Sequence, residues 1–232
     1  MIKKLHWVAG VVLGFAVITA LLITSFEIAM YLDYGVYQRE YEKHDVLDDL
    51  DMTMEDVMYV TREMMEYLRG EGETLSVITT VEGKEQDFFN EQDRFHMGEV
   101  RGLFIGGLNI RLAACVIIVL CILFLWGTRA DLKNVIPRGY QIALGVSGAL
   151  VLLLGAACVI DFNTVFVQFH HIFFDNDLWI FDPAQDYMIR MLPEGLFFDM
   201  VIRIGLIFIG LLILVLVLSF VPRVIEKRKK LA

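Results

Sequence analysis

Three histidines lie where an imidazole could carry out acid–base chemistry. His170 and His171 lie inside the aromatic stretch "FVQFHHIFFDNDLW", residues 166–179, and His96 lies far upstream in "DRFHMGEV". Imidazole changes its charge near neutral pH, so one ring can take a proton from a nucleophile while another gives one to a leaving group. The pattern suggests a two-histidine proton-transfer site. The alternative is that each ring is an aromatic side chain whose polar end stays in water.

The helical period separates the two neighbouring histidines. If residues 166–174 are helical, His170 shares a face with Phe166, Phe173 and Phe174, whereas His171 is turned away by about 100°. A histidine held among apolar side chains tends to stay neutral, which suits a general base. We therefore expect His170 to face the apolar side and His171 to face water.

Two carboxylates flank the third histidine at helical spacing. Asp93 and Glu99 each lie three residues from His96, so either could accept the second N–H of the ring and fix its tautomer. Their other interpretation is ordinary pairing with Arg94, Arg101 or solvent. Both interpretations place the pair on the helix that carries His96.

Metal chemistry and covalent catalysis are both disfavoured by the sequence. His170, His171, Asp175 and Asp177 are ligand types, but adjacent histidines on a helix diverge, and no HExxH-type spacing occurs. All three cysteines fall within apolar segments, so none is expected to act as an outer nucleophile. We expect neither a metal nor another cofactor.

Four apolar blocks are each long enough to cross a bilayer, which takes about 20 residues. The chain has 232 residues and is 57% hydrophobic, which is more apolar than a typical soluble domain. The blocks are Trp7–Phe26, Leu103–Trp126, Tyr140–Ile160 and Leu196–Phe220. We therefore predict an all-α integral membrane protein with four transmembrane helices, of which the first is an uncleaved signal anchor.

Charge predicts the orientation of these helices. Basic residues flank the first block, join the second to the third, and follow the fourth, whereas the two other loops are strongly acidic. The positive-inside rule places both termini in the cytoplasm and both acidic loops outside the cell membrane. An acidic outer face disfavours nucleic acid as a partner. The expected segments are 1–26 (N-terminus and first span), 27–102 (outer domain), 103–126 (second span), 127–139 (cytoplasmic loop), 140–160 (third span), 161–195 (outer interfacial loop), 196–220 (fourth span) and 221–232 (basic tail).

The first outer loop predicts a small extracellular cap of α/β type. Thr53 and Asp56 are spaced as a capping box that opens an amphipathic helix. The stretch "TLSVITTV" is typical of a strand, and Gly83 could turn the chain back into a partner strand. Asn90 is expected to cap one long helix that starts in water and enters the second span.

The second outer loop predicts helices at the membrane interface. Its phenylalanines recur at helical spacing over residues 162–174, and aromatic rings favour that interface. Asp182 followed by Pro183 is typical of a helix start, which predicts a second helix through Met191.

Two arginines lie at depths where a charge usually marks a function or a buried pair. Arg111 lies about 12 Å into the second span at helical rise, and Arg203 lies near the outer end of the fourth. They could bind a lipid phosphate or an ester carbonyl, or pair with Asp161 or Asp199. By contrast, His44 is expected to be an ordinary surface residue in a charged loop.

Two motifs resemble those of the lipoprotein intramolecular transacylases, four-span membrane proteins of Gram-positive bacteria. The motif "HMGEV", residues 96–100, is similar to the family's His-Met-x-Asp-Val pattern, with Glu99 where the family commonly has aspartate. The stretch from Phe169 to Asp199 is similar to a longer pattern that begins Phe-His-x-Ile-Phe-Phe and ends Leu-Pro-x-x-Phe-Phe. The resemblance covers most of the chain.

The resemblance implies an acyltransferase that acts on diacylglyceryl lipoproteins at the outer leaflet. Such an enzyme moves the sn-2 acyl chain to the α-amino group of the same N-terminal cysteine, giving an N-acyl, S-monoacylglyceryl lipoprotein. Membrane lipid is the other expected partner. The opposing hypothesis is a non-enzymatic membrane protein that binds a lipid or a partner through its acidic outer domain.

The family's two essential histidines map onto His96 and His170, which agrees with the proton transfers considered above. Arg111 and Arg203 are the candidates for binding the substrate headgroup. The expected supporting residues around the histidines are Asp93, Glu99, Arg101, His171, Asn176, Trp179 and Asp186.

Overall fold

Helices dominate the computed structural model, which describes residues 1–231 and the side chains of residues 1–221. Within this part, four helices are long and apolar enough to cross a membrane, as predicted. These four are α1, α5, α6 and α9 in the following order of elements. The elements are α1 (Ile2–Tyr31), α2 (Gly35–Lys43), α3 (Val46–Leu50), α4 (Met54–Leu68), β1 (Ile78–Val81), β2 (Lys84–Asp87), α5 (Glu91–Gly127), α6 (Leu132–Ile160), α7 (Phe162–Phe173), α8 (Tyr187–Met191) and α9 (Glu194–Leu231).

One compact unit contains most of each apolar helix and comprises residues 1–28, 108–157 and the chain from residue 203 onward. Within it, α1 and α6 approach so closely that a carbon added at Gly139 would overlap the Gly10 backbone. Small residues favour such contacts in membranes, where apolar lipid gives helices little hydrophobic reason to associate. The Tyr140 hydroxyl also donates to the Leu212 carbonyl on α9 at 2.8 Å. The glycine contact therefore joins α6 to α1, and the hydrogen bond joins α6 to α9.

The second compact unit combines residues 29–107 and 158–202. Helix α4 begins at the predicted cap, because Thr53 Oγ1 accepts from the Asp56 N–H at 3.1 Å. The helix is amphipathic, as predicted, and its buried face includes Val57, Met64 and Met65. The largest fully buried side chains of this unit are Tyr41, Val46, Leu50, Val57, Val60, Met65, Val77, Val81, Phe88, Phe89 and Met191.

Strands β1 and β2 form the antiparallel hairpin predicted around Gly83. Glu82 and Gly83 both have positive φ, 51° and 70°, which is the conformation of two-residue hairpin turns. The predicted strand was too long, because β1 begins only at Ile78. Upstream of it, the Asp87 carboxylate accepts from the Val77 N–H at 3.1 Å, so a side chain takes up a backbone group that a strand partner would otherwise bind.

In the second outer segment, α7 confirms the predicted aromatic helix, and Asp161 caps it by accepting from the Thr164 N–H at 3.0 Å. The predicted helix from Pro183 is wrong, because residues 183–185 form a single turn. The Asp186 carboxylate reaches back to the Asp182 N–H at 2.7 Å. Since the Asp186 backbone is extended, with φ −111° and ψ 108°, the next helix begins only at Tyr187.

Candidate active site

The two histidines singled out in the sequence lie face to face. His96 lies on α5 and His170 on α7, with ring centroids 5.8 Å apart and ring planes inclined by 25°. Their exposed fractions are only 6% and 7%. His171 is exposed, and its ring contacts Trp179 edge-on at 5.3 Å. His170 therefore faces inward and His171 outward, as the helical period predicted.

Aromatic rings enclose both imidazoles. The His170 ring lies 4.7 Å from the Trp179 ring and 5.4 Å from the Phe174 ring between centroids. The His96 ring contacts Phe174 at 4.9 Å and Phe181 at 5.4 Å, both edge-on. Phe174 thus touches both histidines, and the surroundings of the pair are largely apolar.

A backbone carbonyl fixes the tautomer of His170. Its Nδ1 lies 2.7 Å from the Phe166 carbonyl oxygen, one helical turn earlier. Because a carbonyl only accepts, Nδ1 carries the hydrogen, and Nε2 keeps its lone pair in the neutral ring. Burial lowers the pKa of His170 from its ordinary 6.5, the hydrogen bond to Phe166 opposes this, and the charge of His171 lowers it further. His170 is therefore neutral at pH 7 with an available acceptor nitrogen.

Glu99 lies beside His96, and Asn176 holds it there. Asn176 Nδ2 donates to Glu99 Oε1 at 2.8 Å, and Asn176 Oδ1 accepts from the Leu178 N–H at 2.9 Å. Glu99 Oε2 lies 3.9 Å from His96 Nδ1, which is too far for a hydrogen bond. Both of these atoms are buried without a hydrogen-bond partner. A small movement would let His96 donate to this carboxylate, which is the orienting role predicted for Glu99.

Asp93 and Asp186 belong to a network at the start of α5. The predicted cap is confirmed, because Asn90 Oδ1 accepts from the Asp93 N–H and the Asn90 N–H donates to Asp93 Oδ2, both at 2.9 Å. Asn90 Nδ2 also donates to Asp186 Oδ1 at 2.5 Å. Both carboxylates are buried. They join the start of α5 to the turn before α8 and do not hydrogen-bond to His96.

Two residues near the histidines were not predicted. Gln92 Nε2 donates to the Leu178 and Ile180 carbonyls at 3.1 Å and 3.0 Å, and Phe181 packs on His96. Both contacts involve the irregular segment after α7. Such a segment has no periodic pattern, so the sequence carried no signal for them.

Arg101 contacts the end of α4. Its Nη2 donates to the Gly70 carbonyl at 3.1 Å, and its guanidinium lies 4.6 Å from the centre of the Tyr67 ring. Gly70 follows α4 with φ 94°, which favours glycine. Arg101 therefore fastens α4 to α5 and supports the site through the fold.

The two arginines of the apolar helices belong to the unit that does not contain the histidines. Arg111 Nη2 lies 3.6 Å from Glu27 Oε2. Its partner is thus Glu27, just beyond the first predicted span, and not the expected Asp161 or Asp199. Arg203 lies on α9 and is half-buried.

Three side chains of the types that bind metals lie close together, away from the stretch of His170 to Asp177. Among the residues that the structure describes, Glu40, His44 and Asp199 place one ligand atom each within 4.8 Å of one another. His44 is half-buried and contacts both carboxylates. The prediction that it is an ordinary surface residue is therefore wrong. This cluster shares no residue with the His96–His170 pair.

The chain matches a known family over most of its length. The family model of the lipoprotein intramolecular transacylase Lit matches residues 11–198. The search of curated proteins gave no match.

Solved structures share the whole fold. The chain is similar to the membrane-integral lipoprotein intramolecular transacylase Lit from Bacillus cereus, at 22% identity and a TM-score of 0.81, over 99% of this chain and 100% of that one. Two histidine variants of that protein match at 21% and 22% identity with TM-scores of 0.77, over 99% and 98% of this chain and 97% and 96% of theirs. The four apolar helices of this chain, together with the match, make the protein a multi-pass membrane protein. By the match to the family model, the chain belongs to the lipoprotein intramolecular transacylase family.

Proposed function

We propose that this protein moves an acyl chain from the sn-2 ester of a diacylglyceryl-cysteine to the α-amino group of the same lipoprotein cysteine. The product is an N-acyl, S-monoacylglyceryl lipoprotein. The observation that carries the proposal is the stacked, buried pair of His96 and His170. Family membership supports acyl transfer within lipoproteins as the general activity.

His170 is the proposed base. Its Nε2 takes a proton from the α-ammonium of the substrate cysteine, and the amine nitrogen then attacks the ester carbonyl carbon. The N–C bond forms as the carbonyl π electrons move onto oxygen. The Phe166 carbonyl still accepts from Nδ1–H after protonation, so it stabilises the imidazolium that this step produces.

His96 is the proposed acid for the leaving alcohol. As the tetrahedral intermediate collapses, the C–O bond to glycerol breaks, the glyceryl oxygen takes a proton, and the nitrogen loses its second one. His96 relays this proton from nitrogen to oxygen, and Glu99 stabilises the imidazolium formed on the way. Of the two protons that the ammonium loses, one ends on glycerol and one reaches solvent through His170.

The aromatic enclosure supports transfer to the amine in preference to hydrolysis. Phe174, Phe181 and Trp179 pack on the imidazoles, so little water can reach an ester held between them. Donor and acceptor belong to one substrate molecule, and alignment alone can contribute about 7–11 kcal/mol to such a reaction. The site therefore needs to supply alignment and two proton transfers, and this scheme uses no covalent enzyme intermediate.

Lipopeptide mass spectrometry tests the proposal. Lipoproteins from cells that make the protein should carry N-acyl, S-monoacylglyceryl cysteine, whereas cells without it should keep the diacylglyceryl form. Cells that make the His96→Ala, His170→Ala double variant at equal level are the matched control. Identical lipopeptides in all three strains would favour the non-enzymatic hypothesis instead.

We also propose that the histidine pair faces the outer leaflet and that both termini are cytoplasmic. The basic and acidic loops support this orientation. A cysteine introduced at Glu73 should then react with an impermeant maleimide in intact cells, and one introduced at Lys229 should react only after lysis. The protein lacking its native cysteines is the control. The reverse labelling pattern would place the site in the cytoplasm.

The pH dependence of transfer follows from the neutral state of His170. Since burial places the pKa of His170 below its ordinary 6.5, the base is active above that pKa and is lost as the pH falls through it. We therefore expect the single-turnover rate to fall in acid with a midpoint below 6.5. In His170→Ala the residual rate depends on the free amine of the substrate, so its acid limb should move up toward the pKa of an α-amino group, about 7.7–8.0. In the original protein, a midpoint above the ordinary histidine value would contradict the proposed state of the ring.

A further inference from the structure

A second cluster of ligand-type side chains lies away from the proposed chemistry. Glu40 lies in the last turn of α2, His44 caps the end of that helix, and Asp199 lies near the start of α9. Residues four apart on a helix present their side chains on one face, so Glu40 and His44 form a two-residue chelate. Asp199 completes the group from a different helix of the same compact unit.

Two of the three donor-atom separations match those of a bound metal, and the third is within 4.8 Å. His44 Nε2 lies 3.5 Å from Glu40 Oε2 and 3.5 Å from Asp199 Oδ2. In a tetrahedral zinc site, nitrogen and oxygen ligands lie about 2.0–2.2 Å from the metal and hence about 3.3–3.6 Å from one another. The two separations of 3.5 Å from His44 Nε2 agree with that geometry.

Two of the three donor atoms are buried without a hydrogen bond, although charged neighbours lie 3.5 Å and 3.8 Å away. Glu40 Oε2 and His44 Nε2 are inaccessible to solvent and have no hydrogen-bond partner. Buried polar atoms are normally hydrogen-bonded, and an unsatisfied one calls for an ion or another partner. Gly195 leaves room for the His44 ring, because any side-chain carbon there would overlap the ring. His44 Nε2 already faces both carboxylates.

Lys43 shows that the cluster attracts positive charge. Its ammonium contacts Asp199 Oδ2 and lies 3.8 Å from Glu40 Oε2. The Lys43 side chain is 53% exposed, so it can turn into solvent when another cation arrives. Lys43 therefore competes for the position between the carboxylates and can leave it.

We propose that Glu40, His44 and Asp199 bind a divalent transition metal of the zinc type, which clamps the end of α2 to the start of α9. One imidazole with two carboxylates suits zinc and similar borderline ions, whereas calcium and magnesium prefer oxygen ligands alone. Three protein ligands leave one coordination position for water. The metal has a structural role here, independent of the proposed acyl transfer.

Zinc titration of the full-length, detergent-solubilised protein tests this inference, after EDTA treatment and removal of any purification tag. His44→Ala and Asp199→Asn should each weaken zinc binding by at least about 10- to 100-fold. Glu42→Gln is the matched control, because Glu42 is exposed on the same helix, and it should bind like the original protein. Calcium should not compete with zinc.

A variant that binds zinc more tightly cannot owe its effect to misfolding. Lys43→Gln removes the competing ammonium and should bind zinc more tightly than the original protein. Cobalt should give the visible absorption of a four-coordinate site in the original protein and not in His44→Ala. Equal zinc affinity of the original protein and His44→Ala would overturn the inference. So would a Lys43→Gln variant that binds no more tightly.

Discussion

His170→Ala is expected to slow acyl transfer by about 10²- to 10⁴-fold, the usual effect of losing a general acid–base group. The ring is buried, its Nδ1 is bound to the Phe166 carbonyl, and its Nε2 is the available base. His171→Asn should keep most of the activity, because His171 is exposed on the other side of α7. Transfer is measured with a purified diacylglyceryl lipopeptide, by the appearance of the N-acyl product.

The adjacent histidine is the matched control for this variant. Both proteins should reach the membrane in equal amounts and unfold at similar temperatures, so that lost activity reports chemistry. An inactive His171→Asn together with an active His170→Ala would show that His171, and not His170, carries the chemistry. Full activity of both would leave α7 as a membrane anchor only.

The double variant His96→Ala, His170→Ala is expected to be little slower than either single variant, each of which loses about 10²- to 10⁴-fold. Two groups that serve the same acyl transfer act as a unit, and such groups are strongly non-additive. The stacked arrangement, with ring centroids 5.8 Å apart, is the structural basis for this coupling. A double-mutant cycle on the single-turnover rate measures it.

A distant pair provides the additive reference for that cycle. Arg101 contacts the end of α4, so the small effect of Arg101→Gln should add to that of His170→Ala. If the losses from His96→Ala and His170→Ala multiplied instead, the two rings would contribute to the rate independently of each other. The scheme with His170 as base and His96 as acid in one transfer would then be wrong.

Local features of the fold were predictable from the sequence. The four spans depend only on the length of apolar runs, and the caps at Thr53 and Asn90 depend on side chains that bind backbone groups a few residues away. The inward face of α7 followed from the helical period, which fixes the side of a helix on which each residue lies. These features need no knowledge of distant parts of the chain.

The local pattern failed where one residue binds a distant partner as well as a near one. Asp182 and Pro183 are typical of a helix start, yet Asp186 binds both the Asp182 N–H and Asn90. With this bridge in place, the Asp186 backbone is extended and not helical, and the turn is joined to the start of α5. A pattern read over a few residues cannot include Asn90, so the predicted helix was wrong.

The sequence by itself thus determined the membrane class, the helical faces and the histidines as candidates, because these depend on residue type and short-range period. Only the tertiary structure decided which side chains meet. It brought His96 onto His170, placed Asn176 on Glu99, paired Arg111 with Glu27, and assembled Glu40, His44 and Asp199. The physical reason is that contacts between distant segments depend on how whole helices pack, and residue spacing along the chain does not specify that packing.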